Sequence, residues 1–585
     1  MSQTAWKAAD ILGLTPGIDL RRSDKVYAVG GANFAFTSKG PRSMFGNRFL
    51  LPHALGSPQH CQGIRIRLRS GDRVFTFVGE AILEWDEDVG GWQVLYVTPI
   101  TNIAPKRWTV AYLNGKIFFC HPRTGIIVYD LEDSSIYKHV GVGVPTTPLA
   151  ICVNNGRLCV LDDLYFSWSW QSDGLNFLPA LGEAGQQLIS DRVAGFPVMI
   201  TSYAQGVLIW TTGGVMRSEF TGDQEVYRHR NLNTEFRPIN SFCTLQTDEN
   251  TTVILDERGL FQSNGGPPEP MAPLFNEFLI EYIRQNKLAL GQNVRIEWDD
   301  LRRLMYISVS ITPEFDKYER AYVLYPSLDK WGVMNEIHHG ILPVRIDGNT
   351  REGSYFGFVG VDSRIRYWSD YASREAAATG NSLNLRYPRI QKNTHEADGG
   401  GYFIVSSSLT FNSEPMTPMV GPAGYYANES NTPGTPSVIG LDARIQMGLI
   451  RFPELNDSFD HMSEVFAVMI GNVESGPEAQ LSVDYLQVPD GVSNEDYAVV
   501  TGAEDFGFES LGFVNHGLRV ISTIDGRSAF QEAIPELVQF AEGVRHYSCS
   551  TVGIWHIVEV SADSAGEAFH VQAFELNATD AGRLS

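Results

Sequence analysis

The sequence predicts an all-β protein whose middle part is a β-propeller. Two observations carry this prediction: a hairpin with an Asn-Gly turn recurs after 41 residues, and an aromatic-flanked polar turn recurs in step with it. A propeller blade is a four-stranded antiparallel sheet of about 40 to 50 residues. We therefore expect about six blades, with seven as the alternative, over residues 59–375.

The hairpins are marked by their turn residues. Asn114-Gly115 and Asn155-Gly156 each lie between alternating apolar runs, and weaker versions follow at Gln205-Gly206 and Arg258-Gly259. Asn-Gly is a strong hairpin signal because a type I′ turn needs positive φ at both central residues. These turns predict the inner hairpins of successive blades.

The second repeat is a strand that ends in an aromatic residue, followed by a polar turn and another aromatic. Its leading residues Trp85, Tyr129 and Trp170 are 44 and 41 residues apart, and Tyr325 to Trp331 repeats the unit later. Two hairpins per period make four strands, which is one blade. We expect the aromatic rings to pack between blades, where they bury a large area.

One interruption of the β pattern, near 273–290, reads as a short helix. It begins at Pro273, a residue favoured in the first turn of a helix. Helical spacing places six apolar residues on one face: Leu274, Phe275, Phe278, Leu279, Tyr282 and Ile283. We expect this helix to pack on the propeller rim or on a neighbouring subunit.

Two further segments flank the propeller. Residues 1–58 read as an N-terminal docking segment, and residues 382–585 read as a C-terminal β domain, most simply an antiparallel sandwich. Alternating runs such as 481–486 and 554–560 support strands in the second segment. A Pro/Gly-rich stretch at 415–440 is too long for an ordinary connection, so we expect an interface or functional loop there.

Composition excludes several classes of protein. Mean hydropathy is −0.13, and no stretch approaches the roughly 18 apolar residues of a membrane span. The first residues lack the apolar core of a secretory signal, so we expect synthesis in the cytoplasm without a signal peptide. Six cysteines in 585 residues do not suggest a disulfide framework. Cys152 and Cys159 should lie opposite each other as buried thiols.

The charge is acidic and unevenly distributed. The formal net charge of −23 argues against a surface that binds nucleic acid throughout. Residues 1–73 carry 11 Lys+Arg against 4 Asp, a balance of +7, whereas residues 381–585 carry 9 against 27 acidic residues, a balance of −18. This asymmetry predicts either two ends that meet different partners or simply an acidic, soluble surface.

No motif with a known chemical mechanism occurs in the chain. It lacks a phosphate-binding loop, an H-E-x-x-H zinc motif, a G-x-S-x-G nucleophile elbow and a C-x-x-C pair. His338-His339 could suggest a metal, but neighbouring strand residues point to opposite faces, so we expect one core-facing and one solvent-facing ring. We predict no catalytic residue, no cofactor and no metal site, and therefore no enzyme.

Several sequence segments together resemble those of a known protein family. These are Pro16-Gly17-Ile18-Asp19, then 40–46, the segment 166–174 around Trp168 and Trp170, and the ending 555–562 with 581–584. The chain resembles the tail nozzle proteins of short-tailed bacteriophages, also described as tail tubular protein B-like or packaged-DNA-stabilising hub proteins.

The resemblance implies a structural role in a virion tail. It implies a homo-oligomeric ring, typically a hexamer, that encloses the DNA-ejection channel below the portal and adaptor, with tail fibres or spikes as further partners. Genomic DNA would pass transiently through the lumen, and no membrane span is implied. An acidic lumen would repel phosphate, while basic residues such as Arg21, Arg22, Arg42 and Arg48 would suit docking to a neighbour.

Two rival functions belong to other classes. The first is a host-glycan-binding or glycan-hydrolysing propeller, a receptor-binding protein, since 169–174 loosely resembles the aspartate-box turn of propeller glycosidases. The second is an intracellular scaffold propeller. A nozzle subunit should assemble into rings and release no sugar, whereas a receptor-binding propeller should bind or cleave polysaccharide as an isolated chain.

Overall fold

The computed structural model describes residues 3 to 583 with gaps. The gaps of five or more residues are 15–25, 50–60, 99–105, 190–194, 286–293, 311–316, 346–353, 369–389, 393–401, 405–442, 456–460, 472–517, 524–528 and 563–570, and several turns of one to four residues are also outside the description. The predicted loop at 415–440 and the residues Arg21 and Arg22 therefore lie outside the described residues.

The N-terminal part contributes six short strands. They are β1 (Gln3–Ala8), β2 (Ile11–Leu14), β3 (Val26–Ala32), β4 (Phe34–Thr37), β5 (Gly40–Ser43) and β6 (Asn47–Phe49).

The strands of the first four blades follow in chain order. Blade 1 holds β7 (Gln62–Leu68), β8 (Gly71–Val78), β9 (Ala81–Asp86) and β10 (Gly91–Val97); blade 2 holds β11 (Thr109–Leu113), β12 (Lys116–His121), β13 (Gly125–Asp130) and β14 (Ile136–Lys138); blade 3 holds β15 (Ala150–Asn154), β16 (Arg157–Leu161), β17 (Tyr165–Trp168) and β18 (Gly185–Leu188); blade 4 holds β19 (Pro197–Tyr203), β20 (Gly206–Thr211), β21 (Gly214–Phe220) and β22 (Tyr227–Asn233).

Three more blades complete the ring. Blade 5 holds β23 (Thr244–Gln246), β24 (Thr252–Asp256), β25 (Gly259–Ser263) and β26 (Glu269–Pro270), and is followed by α1 (Pro273–Gln285); blade 6 holds β27 (Val294–Asp299), β28 (Leu304–Val309), β29 (Arg320–Tyr325) and β30 (Lys330–Met334); blade 7 holds β31 (His338–Arg345), β32 (Ser354–Gly360) and β33 (Ile365–Trp368).

The blades close into a ring through their first strands, which we call the inner strands. β11, β15, β19, β23, β27, β31 and β7 contact one another in that order. Blade 1 meets blade 2 through Gln62, whose side chain accepts from the Trp108 N–H at 2.8 Å and donates to its carbonyl at 2.9 Å. The fold class is thus confirmed as an all-β propeller, and of the two blade counts, seven is right.

The backbone angles of the two Asn-Gly turns explain why the sequence predicts these hairpins. Asn114 and Gly115 have φ of 47° and 76°, and Asn155 and Gly156 have φ of 47° and 69°, as type I′ turns require. Their registers pair Leu113 with Lys116 and Asn154 with Arg157. The inner hairpins of blades 2 and 3 therefore have two-residue loops.

The N-terminal strands take a different place from the predicted docking segment. β6 pairs with β33 and supplies the fourth strand of blade 7, while β4 and β5 extend blade 6 to six strands. β1 to β3 belong to the C-terminal sheets. Blade 7 has three strands of its own, and β6 pairs with the edge that would otherwise be left open.

After the propeller, the described residues form ten more strands. They are β34 (Ile390–Lys392), β35 (Tyr402–Ile404), β36 (Ala443–Ile450), β37 (His461–Gly471), β38 (Leu518–Thr523), β39 (Ala529–Ala533), β40 (Glu536–Ala541), β41 (Val544–Gly553), β42 (Trp555–Ala562) and β43 (Ala573–Arg583). One sheet has the order β1-β43-β37-β41-β40, and a second has the order β2-β3-β36-β42-β38-β39. Ser463 of the first donates to or accepts from His556 of the second at 2.7 Å, so the sheets pack as a sandwich.

Among its described side chains the helix packs as the pattern predicts, with one exception, and the side chain of Ile283 lies outside the description. Phe275, Phe278 and Leu279 are buried, and the rings of Phe275 and Phe278 lie 5.4 Å from that of Trp331 in blade 6. Leu274, predicted on the same face, is 53% exposed because it lies in the first turn. Its N–H and that of Phe275 donate to the Asp329 carboxylate, at 2.6 and 3.0 Å. The helix therefore sits on the rim between blades 5 and 6.

A single hydrophobic core joins blade 6 to the sandwich. It contains Ile11 and Ala28 from N-terminal strands, Trp331 from blade 6 and Val558 from the sandwich. A Cβ on Gly13 would lie 2.8 Å from the Trp331 ring, so only glycine allows β2 to approach blade 6 this closely.

This threading predicts that the N-terminal segment is needed for folding. Removing residues 1–58 would expose the edges of blade 7 and of both sandwich sheets, so we expect aggregation and loss of the cooperative thermal transition. Circular dichroism melting measures it. As a matched control, a protease site placed within 50–60 and cut after folding should leave the transition in place. A deletion variant as stable as the full chain would show that these strands only dock.

Candidate functional site

A cup lies on the axis of the propeller. It has a volume of about 700 Å³ and is lined by residues from the inner strands of all seven blades. Its exposed residues lie where the inner strands turn back, and they include Tyr112, Asn155, Ala204 and Asn250. We call this the mouth end, and the end at which the inner strands begin the floor end. Cavities of roughly 300–1,000 Å³ are typical of small-molecule sites.

Charged side chains that cross the axis form the floor of the cup. Arg107, next to the inner strand of blade 2, donates to the Phe242 carbonyl of blade 5 at 3.0 Å and to the Ile296 carbonyl of blade 6 at 2.7 Å. It also pairs with Glu297 at 3.2 Å. Blade 2 does not neighbour blades 5 and 6, so the guanidinium must reach across the axis.

A second arginine completes the floor. Arg295 is fully buried in blade 6 and pairs with Glu297 at 2.6 Å. It also donates to the carbonyls of Cys61, before blade 1, and Ile341 of blade 7. Both guanidinium groups lie over the ring of Phe242, 5.7 Å away for Arg107 and 5.1 Å for Arg295. We call Arg107, Arg295 and Glu297 the axial ion network.

The network holds two cations and one anion away from water. Burial lowers the pKa of Arg107, and the neighbouring carboxylate of Glu297 opposes this shift. The surplus positive charge is compensated by four backbone carbonyls, which accept charge-assisted hydrogen bonds. Such an arrangement suits a rigid structural joint.

The walls of the cup above its floor contain both apolar and polar residues. The apolar residues Ile64, Val110, Val153 and Leu245 line the cup together with Trp298, which also packs against the core of blade 6. Amide and hydroxyl groups lie among them: Gln246 Nε2 donates to Ser202 Oγ at 3.0 Å. Successive residues of an inner strand point to opposite faces of its sheet, so apolar and polar side chains both border the cup, between neighbouring blades.

At the mouth end, a carboxylate is held by two arginines. Asp300 of the cup pairs with Arg65 at 2.5 Å and with Arg67, both from blade 1. Both carboxylates of the lining, Glu297 at the floor and Asp300 at the mouth end, are thus paired with arginine.

Of the four predicted docking residues, Arg21 and Arg22 lie outside the described residues, and the structure places the backbone of the other two. Arg42 lies in β5, opposite Ala35 on the extended edge of blade 6. Arg48 lies in β6, where its backbone pairs with Tyr367 of blade 7. These two positions have roles in closing the sheets, and the docking role stays a prediction.

The expectation for the histidine pair is wrong in one respect, since both rings are buried. His338 Nδ1 lies 2.8 Å from the Glu336 carbonyl and Nε2 lies 2.9 Å from Ser308 Oγ. A carbonyl only accepts, so Nδ1 carries the proton and Nε2 accepts from the serine. His339 is 7% exposed because the inner strand of blade 7 is irregular between His338 and Gly340.

The two facing cysteines follow the sequence reading. Cys152 and Cys159 are register partners in blade 3, and both are buried free thiols. Burial raises the pKa of Cys152, and its neighbour Cys159 adds to the shift. Within the described residues, no group of three His, Cys, Asp or Glu side chains is placed to hold a metal ion. None of the described helices is long and apolar enough to cross a membrane.

The axial ion network was not found from the sequence. Arg107, Arg295 and Glu297 are separated by up to 190 residues and lie in no motif. The one available signal was an Arg and a Glu two positions apart in the apolar strand Val294–Asp299.

Comparisons with known proteins identify no family. No family model matches the sequence, and no curated protein matches it. Solved structures with some likeness include YCF48 bound to D1 peptide (8% identity, TM-score 0.30, 56% of this chain and 97% of that chain) and the extracellular domain of BT4673 from B. thetaiotaomicron (12%, 0.34, 56% and 40%). Another is the β-propeller domain of Cps50 (Swd1) from Myceliophteria thermophila (12%, 0.32, 52% and 99%). At these TM-scores the likeness carries no argument about function.

The axial ion network predicts a large effect of a small substitution. Glu297→Gln would leave two buried guanidinium groups without their anion, so we expect a loss of about 3–5 kcal/mol in the free energy of unfolding. Urea denaturation measures it. The matched control is Glu269→Gln on an exposed strand, which should change the value by less than about 0.5 kcal/mol. An equally small effect at Glu297 would contradict the structural role of the network.

The buried histidine predicts acid sensitivity. Burial, reinforced by the charges of Arg295 and His339, lowers the pKa of His338 to about 4. The pKa of His338 in the folded protein lies below the ordinary value of 6.5. The contribution of the neutral ring to the free energy of unfolding is therefore complete above pH 6.5 and is lost as the pH falls toward 4.

The slope of unfolding free energy against pH measures this effect. We expect His338→Gln to flatten the slope between pH 6.5 and 4 by up to about 1.4 kcal/mol per pH unit. His556→Gln serves as a comparison, because the pKa of His556 is lowered to about 3 by burial in the sandwich. An unchanged slope in His338→Gln would mean that this ring is protonated in the folded protein.

Proposed function

We propose that the protein is a structural subunit of the nozzle ring of a short-tailed bacteriophage tail. In this role a ring of copies encloses the DNA-ejection channel below the portal and adaptor. The observation that carries the proposal is the interlocking of the chain, added to the resemblance of its sequence to nozzle proteins. One N-terminal segment passes through the sandwich, blade 6 and blade 7 before the first blade begins.

Interlocking suits a part that bears mechanical load. To separate the sandwich from the propeller, either β3 would have to leave β36 or β4 would have to leave β30, and the shared core around Trp331 would have to break as well. Closed blades also leave only short, protected sheet edges. A tail component under the pressure of a packaged genome benefits from both properties.

The closed axis of the propeller determines where DNA could pass. Arg107 crosses the axis to blade 6, and Arg295 reaches from blade 6 to Cys61 before blade 1, so the channel of this proposal lies between subunits and not through a propeller. The net charge of −23 favours a lumen that repels phosphate, so that DNA slides without adhering. An assembled ring with a mainly basic lumen would contradict this assignment.

Exposed apolar side chains offer a surface for subunit contacts. Val140, Val142 and Phe196 are 75–80% exposed, and Leu164 is 51% exposed. They lie in connections at the floor end of blades 2, 3 and 4. Exposed apolar groups of this kind mark interaction surfaces.

Ring assembly tests the proposal. We expect the purified protein, alone or mixed with portal–adaptor complexes of the phage, to form closed rings in negative-stain electron microscopy. The double variant Val140→Ser with Phe196→Ser should shift the sedimentation profile toward monomer, whereas the control Tyr112→Ser, inside the cup, should not. A chain that stays monomeric with portal–adaptor complexes would overturn the proposal.

A further inference from the structure

We propose that the axial cup binds a neutral sugar, of the size of a monosaccharide or disaccharide. The inference goes beyond the nozzle role and does not depend on it. It rests on three properties of the lining, which are its charge balance, its aromatic faces and its ordered amide groups.

The charge balance excludes an ionic ligand. The lining contains two arginines, Arg65 and Arg107, and two carboxylates, Glu297 and Asp300. Each carboxylate is already paired, Asp300 with Arg65 at 2.5 Å and Glu297 with Arg107 at 3.2 Å. A phosphate or carboxylate ligand would need a cation that is not already neutralised. The formal charges of these four lining residues cancel, and the further cation of the floor, Arg295, is fully buried and bonded to Glu297 and two backbone carbonyls. No cation is therefore left for an anionic ligand, which favours a neutral molecule.

The aromatic and aliphatic walls select a ligand with an apolar face. Trp298 is partly exposed on the wall, and Tyr112 is 43% exposed at the mouth end. The partly buried aliphatic residues Val110 and Leu245 continue this surface. The C–H face of a pyranose ring packs against such a surface, which a ligand polar on all sides would leave uncovered.

The amide groups select a ligand that both donates and accepts hydrogen bonds. Gln246 is held in one orientation, because its Nε2 donates to Ser202 Oγ at 3.0 Å while its Oε1 accepts from the Ser202 N–H at 3.3 Å. Asn155 and Asn250 add two more side-chain amides at the mouth end. Amides carry donor and acceptor side by side, which matches the vicinal hydroxyls of a sugar. The side-chain orientation is fixed before binding, so little ordering entropy is lost.

Titration with defined sugars tests the inference. The probes are the methyl pyranosides of glucose, galactose, mannose and N-acetylglucosamine, with maltose, cellobiose and lactose, followed by saturation-transfer NMR and calorimetry on the full chain. We expect at least one to bind with a Kd of roughly 1 mM or tighter. Glucuronate and glucose 6-phosphate should bind no more tightly than the neutral sugar.

Variants locate the binding in the cup. Trp298→Ala should weaken binding at least about tenfold, and Tyr112→Ala, an exposed position, should weaken it several-fold without changing the melting temperature. The matched control Trp170→Ala, a tryptophan outside the cup, should leave binding unchanged. Ring assembly should be the same in Trp298→Ala as in the unmodified chain, so the result is independent of the nozzle proposal.

Three outcomes would overturn the inference. The first is that none of the seven sugars binds at about 20 mM. The second is binding that Trp298→Ala and Tyr112→Ala leave unchanged. The third is tighter binding of the charged sugars, which would contradict the neutral character of the lining.

Discussion

The fold depends on seven blades meeting at one axis, and buried polar contacts between inner strands hold them there. Gln62 ties blade 1 to blade 2, Thr109 accepts from the Ile151 N–H of blade 3 at 2.9 Å, and Asn154 donates to carbonyls of blade 4. Between blades 5, 6, 7 and 1, the arginines of the axial ion network make the corresponding contacts, by donating to backbone carbonyls. Each contact satisfies a buried polar group. One misplaced blade would therefore leave several buried groups without a hydrogen-bond partner.

The axial ion network also decides what kind of site the axis can be. Because the guanidinium groups close the floor end, the axis is a cup and not a tunnel. The same pairing neutralises Glu297, so the cup has polar groups without a free charge. A structural joint and a candidate ligand site therefore arise from one arrangement of side chains.

The second constraint is the union of the two ends of the chain. β1 pairs with β43, and β3 pairs with β36, so the sandwich forms from segments more than 400 residues apart. Pairing at this distance carries a high loop-closure cost, which the shared core around Trp331 must offset. This explains why a sequence reading that proceeds along the chain assigned residues 1–58 to a segment of their own.

Local chemistry, by itself, determined the all-β class, the propeller and the hairpin turns at Asn114-Gly115 and Asn155-Gly156, because turn type and strand alternation depend on residues close in sequence. It also predicted the helix, with the rim as one of two alternatives for its place, and the facing thiols Cys152 and Cys159. Only the tertiary structure decided the rest: the seventh blade completed by β6, both histidines buried, and Arg107 reaching Glu297 across the axis. The physical reason is that a charge pair or an edge strand has no sequence period, so its partner is chosen by the geometry of the closed ring.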